Sequence, residues 1–234
     1  MNISLLFRKN LKIFYVNDNK VILSLHIMKL IPVSTLFDFV LKTSLRHNID
    51  ESHAVKHSMD VFFYANKILH IENLNQCVRS KNIVNVCASL HDMCDSKYVN
   101  EDKGWVQLEE LLQPNMNPKD LHVSKNIIMT MSYSKVIKNG FPTSFSKEDL
   151  LLYHIIREAD LLTSYDFERC IIYAMYKKNI GYKEAFIQAE ELFNNRMFMY
   201  LKNNLFVTNY SKKEASRLHQ KATQKIIDLK KYIL

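Results

Sequence analysis

Three glycines and four prolines are spread over 234 residues. Tight hairpins draw on glycine and β-turns on proline, so so few breakers argue against sandwiches, collagen-like repeats and disorder. Long helices joined by short polar loops suit such a chain, and the expected fold class is all-α. The length suffices for one generous domain with a buried core.

The formal net charge is +8. Lysine supplies most of the excess, in the company of many asparagines and isoleucines, the trio that AT-rich coding DNA produces. Codon bias is therefore the first reading of the charge, and attraction to phosphates the second. The cysteines Cys77, Cys87, Cys94 and Cys170 form no CxxC pair, and a chain of this length does not need disulfide staples; reduced thiols are expected. No apolar run approaches the roughly 18 residues of a membrane span. Arg8 and Lys9 interrupt the first apolar stretch, and no small-residue cleavage site follows it. The expectation is a soluble, intracellular protein with no membrane contact.

Residues 1–28 differ from the rest. Two β-branched and aromatic runs flank Asn17-Asp18-Asn19, a hairpin signal, and Met28 has the look of a second protein start. This extension is expected to be peripheral. A helical pattern then takes over: Val33–His47, a helix capped in Asp50-Glu-Ser52 and running to about His70, then Val78–Met93 and Trp105–Leu112. Pro118–Met131, Ser146–Leu162, Tyr165–Lys178, Tyr182–Asn203 and Ser211–Tyr232 follow. The expected organisation is a main helical domain over 29–180, with C-terminal helices of 181–234 packing on it. The last of these is amphipathic and lysine-rich, which reads as a packed face with a solvated one.

Polar groups stand where a helical core should be apolar. His53 and His57 are four residues apart and share a helix face. His91-Asp92 closes the apolar run Val84–Leu90, and Asp160 sits inside Ile155-Ile-Arg-Glu-Ala-Asp-Leu-Leu162. Burying such groups costs several kcal/mol unless each finds a partner, and one divalent cation satisfies all of them. Two imidazoles and two carboxylates suit Mn²⁺, Fe²⁺, Co²⁺, Ni²⁺ or Mg²⁺, whereas a structural zinc site would recruit thiolates. Any one of these residues alone would read as structural; the ordered set on successive helices is far more specific.

With these residues in place, the chain resembles the HD-domain superfamily of metal-dependent phosphohydrolases, in particular the single-domain branch with bacterial nucleotide pyrophosphohydrolases. The likeness rests on Asp50-Glu-Ser-His53-Ala-Val-Lys-His57, Ala88-Ser-Leu-His91-Asp92-Met-Cys-Asp95-Ser-Lys97-Tyr98, Ile127-Ile-Met-Thr-Met-Ser132-Tyr-Ser134-Lys135 and Arg157-Glu158-Ala-Asp160-Leu-Leu162, about half the chain. The run Tyr165–Ala174 is similar to eukaryotic and giant-virus versions of the branch. The resemblance implies one metal held by His57, His91, Asp92 and Asp160, with open positions for water and a phosphate oxygen. It implies His53 as a phosphate or proton partner, Asp95 as the group that orients or deprotonates the water, and Lys97 and Lys135 as holders of phosphate charge. Glu158 would accept from a ligating imidazole. The substrate implied is a small phosphate compound, in the first place a nucleotide; nucleic acid is not implied, and a homodimer is compatible.

Two departures bear on the substrate. Bacterial relatives often carry His where this chain has Met131. Their Asp-Arg-Leu-Asp reads Asp160-Leu-Leu-Thr163 here, which leaves Asp166 and Arg169, one turn later, as replacements. These departures keep open a second reading, a module that holds metal and nucleotide with catalysis impaired. Multi-metal branches add several histidines between the His-Asp pair and the last Asp; this chain has His122 and His154 there, which favours a single metal. The aromatics of Ile172–Tyr176 and Phe193–Tyr200 read first as core and second as a base-stacking platform. Cys94, between Asp92 and Asp95, reads as a packing residue.

Overall fold

The computed structural model describes residues 30–50 and 52–233. The expected N-terminal hairpin and the proposed start at Met28 lie outside the described residues. Those described form ten α-helices and no strand: α1 (Val33–His47), α2 (Val55–Ile71), α3 (Val78–Leu90), α4 (Glu101–Leu112), α5 (Pro118–Thr130), α6 (Tyr133–Asn139), α7 (Lys147–Thr163), α8 (Phe167–Lys178), α9 (Tyr182–Asn195) and α10 (Asn209–Ile233). Short 3-10 turns follow α3 (His91–Cys94) and α9 (Met197–Met199). The all-α expectation holds, and no described helix is long and apolar enough to cross a membrane.

Local chemistry sets the helix ends. Asn100, Asn117, Ser146 and Asp166 each accept a backbone N–H in the first turn of α4, α5, α7 and α8, and Pro118 opens α5 where its missing N–H costs nothing. Asn48 and Asn179 end α1 and α8 in the left-handed region that asparagine tolerates. The expected cap of α2 is corrected. Ala54, not Asp50 or Ser52, precedes the helix, because the Asp50 carboxylate is engaged by Ser52 and by Tyr98, 48 residues away. The sequence pattern also missed α6, a short helix with Val136 as its buried residue.

One apolar core runs from Ile31 to Ile226. Helix α7 passes through its centre, packing against α2, α3 and α10, and is buried on nearly every side from Leu152 to Thr163. Helices α2 and α3 also pack on each other, and α10 lies across α2, α7 and α8 with Ala215, Ala222 and Ile226 inward. Arg79 of α3 ties two more helices in, donating from Nε to Asp120 of α5 (2.7 Å) and from Nη2 to Asp149 of α7 (2.6 Å). Gly104 lets α4 approach the first 3-10 turn: a Cβ there would stand 3.2 Å from Cys94 Cα. The first turn of α2, the end of α3 and the last turns of α7 thus meet, and they carry the unusual polar residues.

Candidate metal centre

His57 is in the first turn of α2, at 3 % exposure. At Leu90 the backbone leaves the α-helical region (φ −109°, ψ 2°), and the chain tightens into the 3-10 turn. That change brings the consecutive side chains of His91 and Asp92 to one point, Nε2 and Oδ2 being 3.3 Å apart. Asp160 arrives from the end of α7. His57 Nε2 lies 3.2 Å from His91 Nε2, 3.4 Å from Asp92 Oδ2 and 3.4 Å from Asp160 Oδ1. His91 Nε2 lies 3.8 Å from Asp160 Oδ1. Ligand bonds of about 2.1 Å place neighbouring ligand atoms about 3.0 Å apart in an octahedron and about 3.4 Å apart in a tetrahedron. His57, His91 and Asp160 converge as a group that could hold one divalent ion, and Asp92 Oδ2 stands beside both imidazoles of that group.

The hydrogen bonding supports that fit. Asp92 Oδ2 is buried and has no hydrogen-bond partner, an orphan that a cation would satisfy. Burial alone would raise the Asp92 carboxyl, but the His91 and His57 imidazoles outweigh it and hold it well below the ordinary carboxylate range. Asp160 is likewise held low against burial by the His57 and His91 imidazoles beside it. For His91, burial favours the neutral ring, yet the Asp92 charge, then Asp160 and the Ala88 carbonyl, raise its pKa to about 9. The cluster is one that a positive charge completes. His91 Nδ1 is 3.0 Å from Ala88 O and, donating there, leaves the Nε2 lone pair for a metal.

His57 Nδ1 has two competing neighbours. The Thr163 hydroxyl, 3.4 Å away, donates its proton to Asp160 O (2.7 Å), so toward the ring it only accepts. That favours Nδ1–H and a free Nε2. Arg169, which carries donors alone, touches the same Nδ1 and also donates to Ser52 O (2.8 Å), which favours the opposite tautomer. Arg169 thus comes to the site from α8, as one of the two expected replacements. The other, Asp166, is engaged as the cap of α8.

Two cavities flank the cluster. One, of about 310 Å³, is lined by His53, His57, Asp92, Asp95, Lys97 and Asp160 among others, so the expected neighbours of the metal do share its wall. The other, of about 260 Å³, contains His91, Asp92, Asp160, Asp95, Lys97 and Lys135. Asp95 Oδ1 accepts from Lys97 N (2.9 Å), and Lys97 Nζ stands 3.4 Å from Asp95 Oδ2. Lys135 Nζ donates to Glu101 (2.8 Å) and to Met129 O (2.9 Å) at the rim. A larger groove of about 550 Å³ between α2, α8 and α10 mixes carboxylates and lysines, such as the Lys225–Glu168 ion pair, and among the described residues no metal-type donor cluster opens into it.

His53 is built into a small network. Ser52 Oγ and Tyr98 Oη both donate to Asp50, at 2.8 Å for Tyr98, and lie 2.7 and 3.1 Å from His53 Nδ1. With both hydroxyl protons committed to Asp50, His53 Nδ1 is the donor. Burial would raise Asp50, but its hydrogen bonds with His53, Ser52 and Tyr98 hold it far below the usual carboxylate range.

Glu158 is a correction. Two residues before Asp160 on the same helix it points about 200° away, and it is fully buried on the far side. There it accepts from Thr208 N (3.2 Å), Thr208 Oγ1 (2.7 Å) and Val207 N, fixing the entry to α10. It contacts neither imidazole of the cluster and lines neither cavity beside it. His122 is exposed on α5 beside Asn126, and His154 is buried against Phe141 and Tyr153; neither joins the cluster. Cys94 is buried, and burial raises its thiol to about 12, in keeping with packing. The aromatic runs divide: Tyr173 and Tyr200 line a cavity, whereas Phe193 belongs to the core. Arg196, Tyr98 and Thr163 were not found as site residues from sequence, because their contacts come from distant segments and follow no local pattern.

No known family model matches the sequence, and no curated protein matches it. Among solved structures, a Lactobacillus plantarum protein determined as a structural-genomics target aligns over 86 % of this chain and 95 % of its own, at TM-score 0.64 and 19 % identity. Bacillus subtilis YpgQ aligns over 86 % and 95 %, at TM-score 0.59 and 18 % identity. The chain shares their helical fold.

Proposed function

We propose that the protein is a metal-dependent phosphohydrolase of a small phosphate compound, in the first place a nucleotide, with one divalent cation held by His57, His91, Asp92 and Asp160. The observation that carries the reading is the convergence of two imidazole nitrogens and two carboxylates, one with an orphaned oxygen, in the lining of two cavities. The resemblance of the same residues to the HD-domain superfamily supports it.

A bound divalent cation would supply Lewis acidity, lowering the pKa of a water and neutralising charge at phosphorus. Asp95, on the wall of both cavities, would take the proton of the attacking water on a carboxylate oxygen. His53, its Nδ1 proton held by the Ser52 and Tyr98 oxygens, gives a proton from Nε2 to the leaving oxygen when it is charged. Lys97 and Lys135 oppose the negative charge of the phosphates.

The test is a panel of nucleoside triphosphates, dinucleotides and cyclic nucleotides incubated with Mn²⁺, Ni²⁺ or Mg²⁺ and with chelator. Metal-dependent release of phosphate or pyrophosphate is expected, and both His91→Ala and Asp92→Ala abolish it. Binding of metal and nucleotide without turnover of any substrate would favour the impaired module instead.

A further inference from the structure

Four lysine and arginine side chains line the two cavities: Lys97, Lys135, Arg169 and Arg196. Three are engaged, Lys97 beside Asp95, Lys135 with Glu101, and Arg169 with Ser52 O and His57. Arg196 has no carboxylate partner among the described residues. Its Nε donates to Tyr200 Oη at 3.0 Å, and its guanidinium lies 4.4 Å above the centre of the Tyr133 ring. Tyr133 in turn packs on Tyr200, ring centres 5.3 Å apart, so two aromatic side chains fix the plane of the guanidinium.

A guanidinium offers five N–H donors in a flat fork that matches two oxygens of a phosphate, and here one donor is used. Arg196 borders both cavities alongside Asp160, and Ser132 also lines both. The surrounding carboxylates, Asp92, Asp95 and Asp160, oppose any anion until a divalent cation offsets them.

Resting on the phosphohydrolase reading, we infer that Arg196 is a phosphate-binding residue of the substrate site. It grips an oxyanion in its fork once the metal is bound. The residue comes from the end of α9, outside the half of the chain that carries the family-like motifs. The C-terminal segment therefore supplies part of the site rather than only covering it.

Calorimetric titration of inorganic pyrophosphate into the full chain, with and without Mn²⁺, tests this. Wild type is expected to bind pyrophosphate only when metal-loaded. Arg196→Gln weakens that binding at least about tenfold, while Mn²⁺ affinity and melting temperature stay at wild-type values. Arg196→Lys keeps the charge and the stem over Tyr133 but loses the fork; it weakens binding by a smaller factor, and it carries the test if the Gln variant does not fold. Wild-type pyrophosphate affinity in both variants overturns the inference. Unchanged substrate KM in both, in a protein that does hydrolyse phosphate compounds, overturns it while leaving the phosphohydrolase reading intact. A wild-type protein that binds metal but no phosphate compound overturns both.

Discussion

The Nε2 atoms of His57 and His91 face each other at 3.2 Å, although the residues come from the start of one helix and the end of another. Two ring nitrogens at that distance satisfy each other only if one carries a proton, and neither then serves both carboxylates beside them. A divalent cation among them removes the conflict. Mn²⁺ at about a hundred times its dissociation constant is therefore expected to raise the melting temperature by roughly 5–10 °C. A chelator should reverse the rise, and Asp92→Ala should lose it. Equal melting curves with and without metal would argue against the centre.

Arg169 and Thr163 impose opposite tautomers on His57, and Arg169 also places a positive charge beside the metal position. Replacing the guanidinium by an apolar chain of similar length removes both obstacles. Arg169→Met is expected to tighten Mn²⁺ binding roughly three- to tenfold, and Thr163→Val to weaken it. Titration calorimetry reads both. Weaker metal binding in the Met variant would show that Arg169 supports the ligating form.

Glu158 has its contacts with the segment leading into α10, not with the metal ligands. Glu158→Ala strands the N–H groups of Val207 and Thr208 and leaves Arg157 without its carboxylate neighbour. The cost expected in urea unfolding is about 3 kcal/mol or more, with the metal stoichiometry unchanged. A small stability loss accompanied by loss of metal would return Glu158 to the site.

His154 provides a pH test away from the metal ligands. Burial, reinforced by the Arg157 charge, lowers its pKa from 6.5 to about 4. Between those values the unfolded chain takes up a proton that the folded one refuses, so His154 makes stability fall as pH drops from about 6.5 to about 4. The loss is on the order of 3 kcal/mol. His154→Leu should flatten this part of the stability profile relative to wild type. Parallel profiles would mean that the folded protein accepts the proton.

Much of this architecture is legible in the sequence, because apolar spacing reports helices directly. The expected start of α1 at Val33, of α3 at Val78 and of α5 at Pro118 coincide with those observed. The four residues of the candidate centre are legible because buried polar groups are costly, so a histidine or aspartate inside an apolar run needs an explanation. Three features were not. The 3-10 turn at His91 depends on the backbone at Leu90, which periodicity does not report. Glu158 was misplaced because nearness to Asp160 along the chain is not nearness in space when the two stand two positions apart on a helix. Arg196 and Tyr98 owe their places to contacts made across the fold, with Tyr133 and Asp50.

We propose a single divalent ion held by His57, His91, Asp92 and Asp160. The most direct measurement is the number of metal equivalents retained per chain after equilibrium dialysis against Mn²⁺, determined by elemental analysis for wild type, His57→Ala, His91→Ala and Asp160→Ala. One equivalent in wild type and much less than one in each variant is the predicted result. No retained metal in wild type, or a full equivalent in all three folded variants, would contradict it.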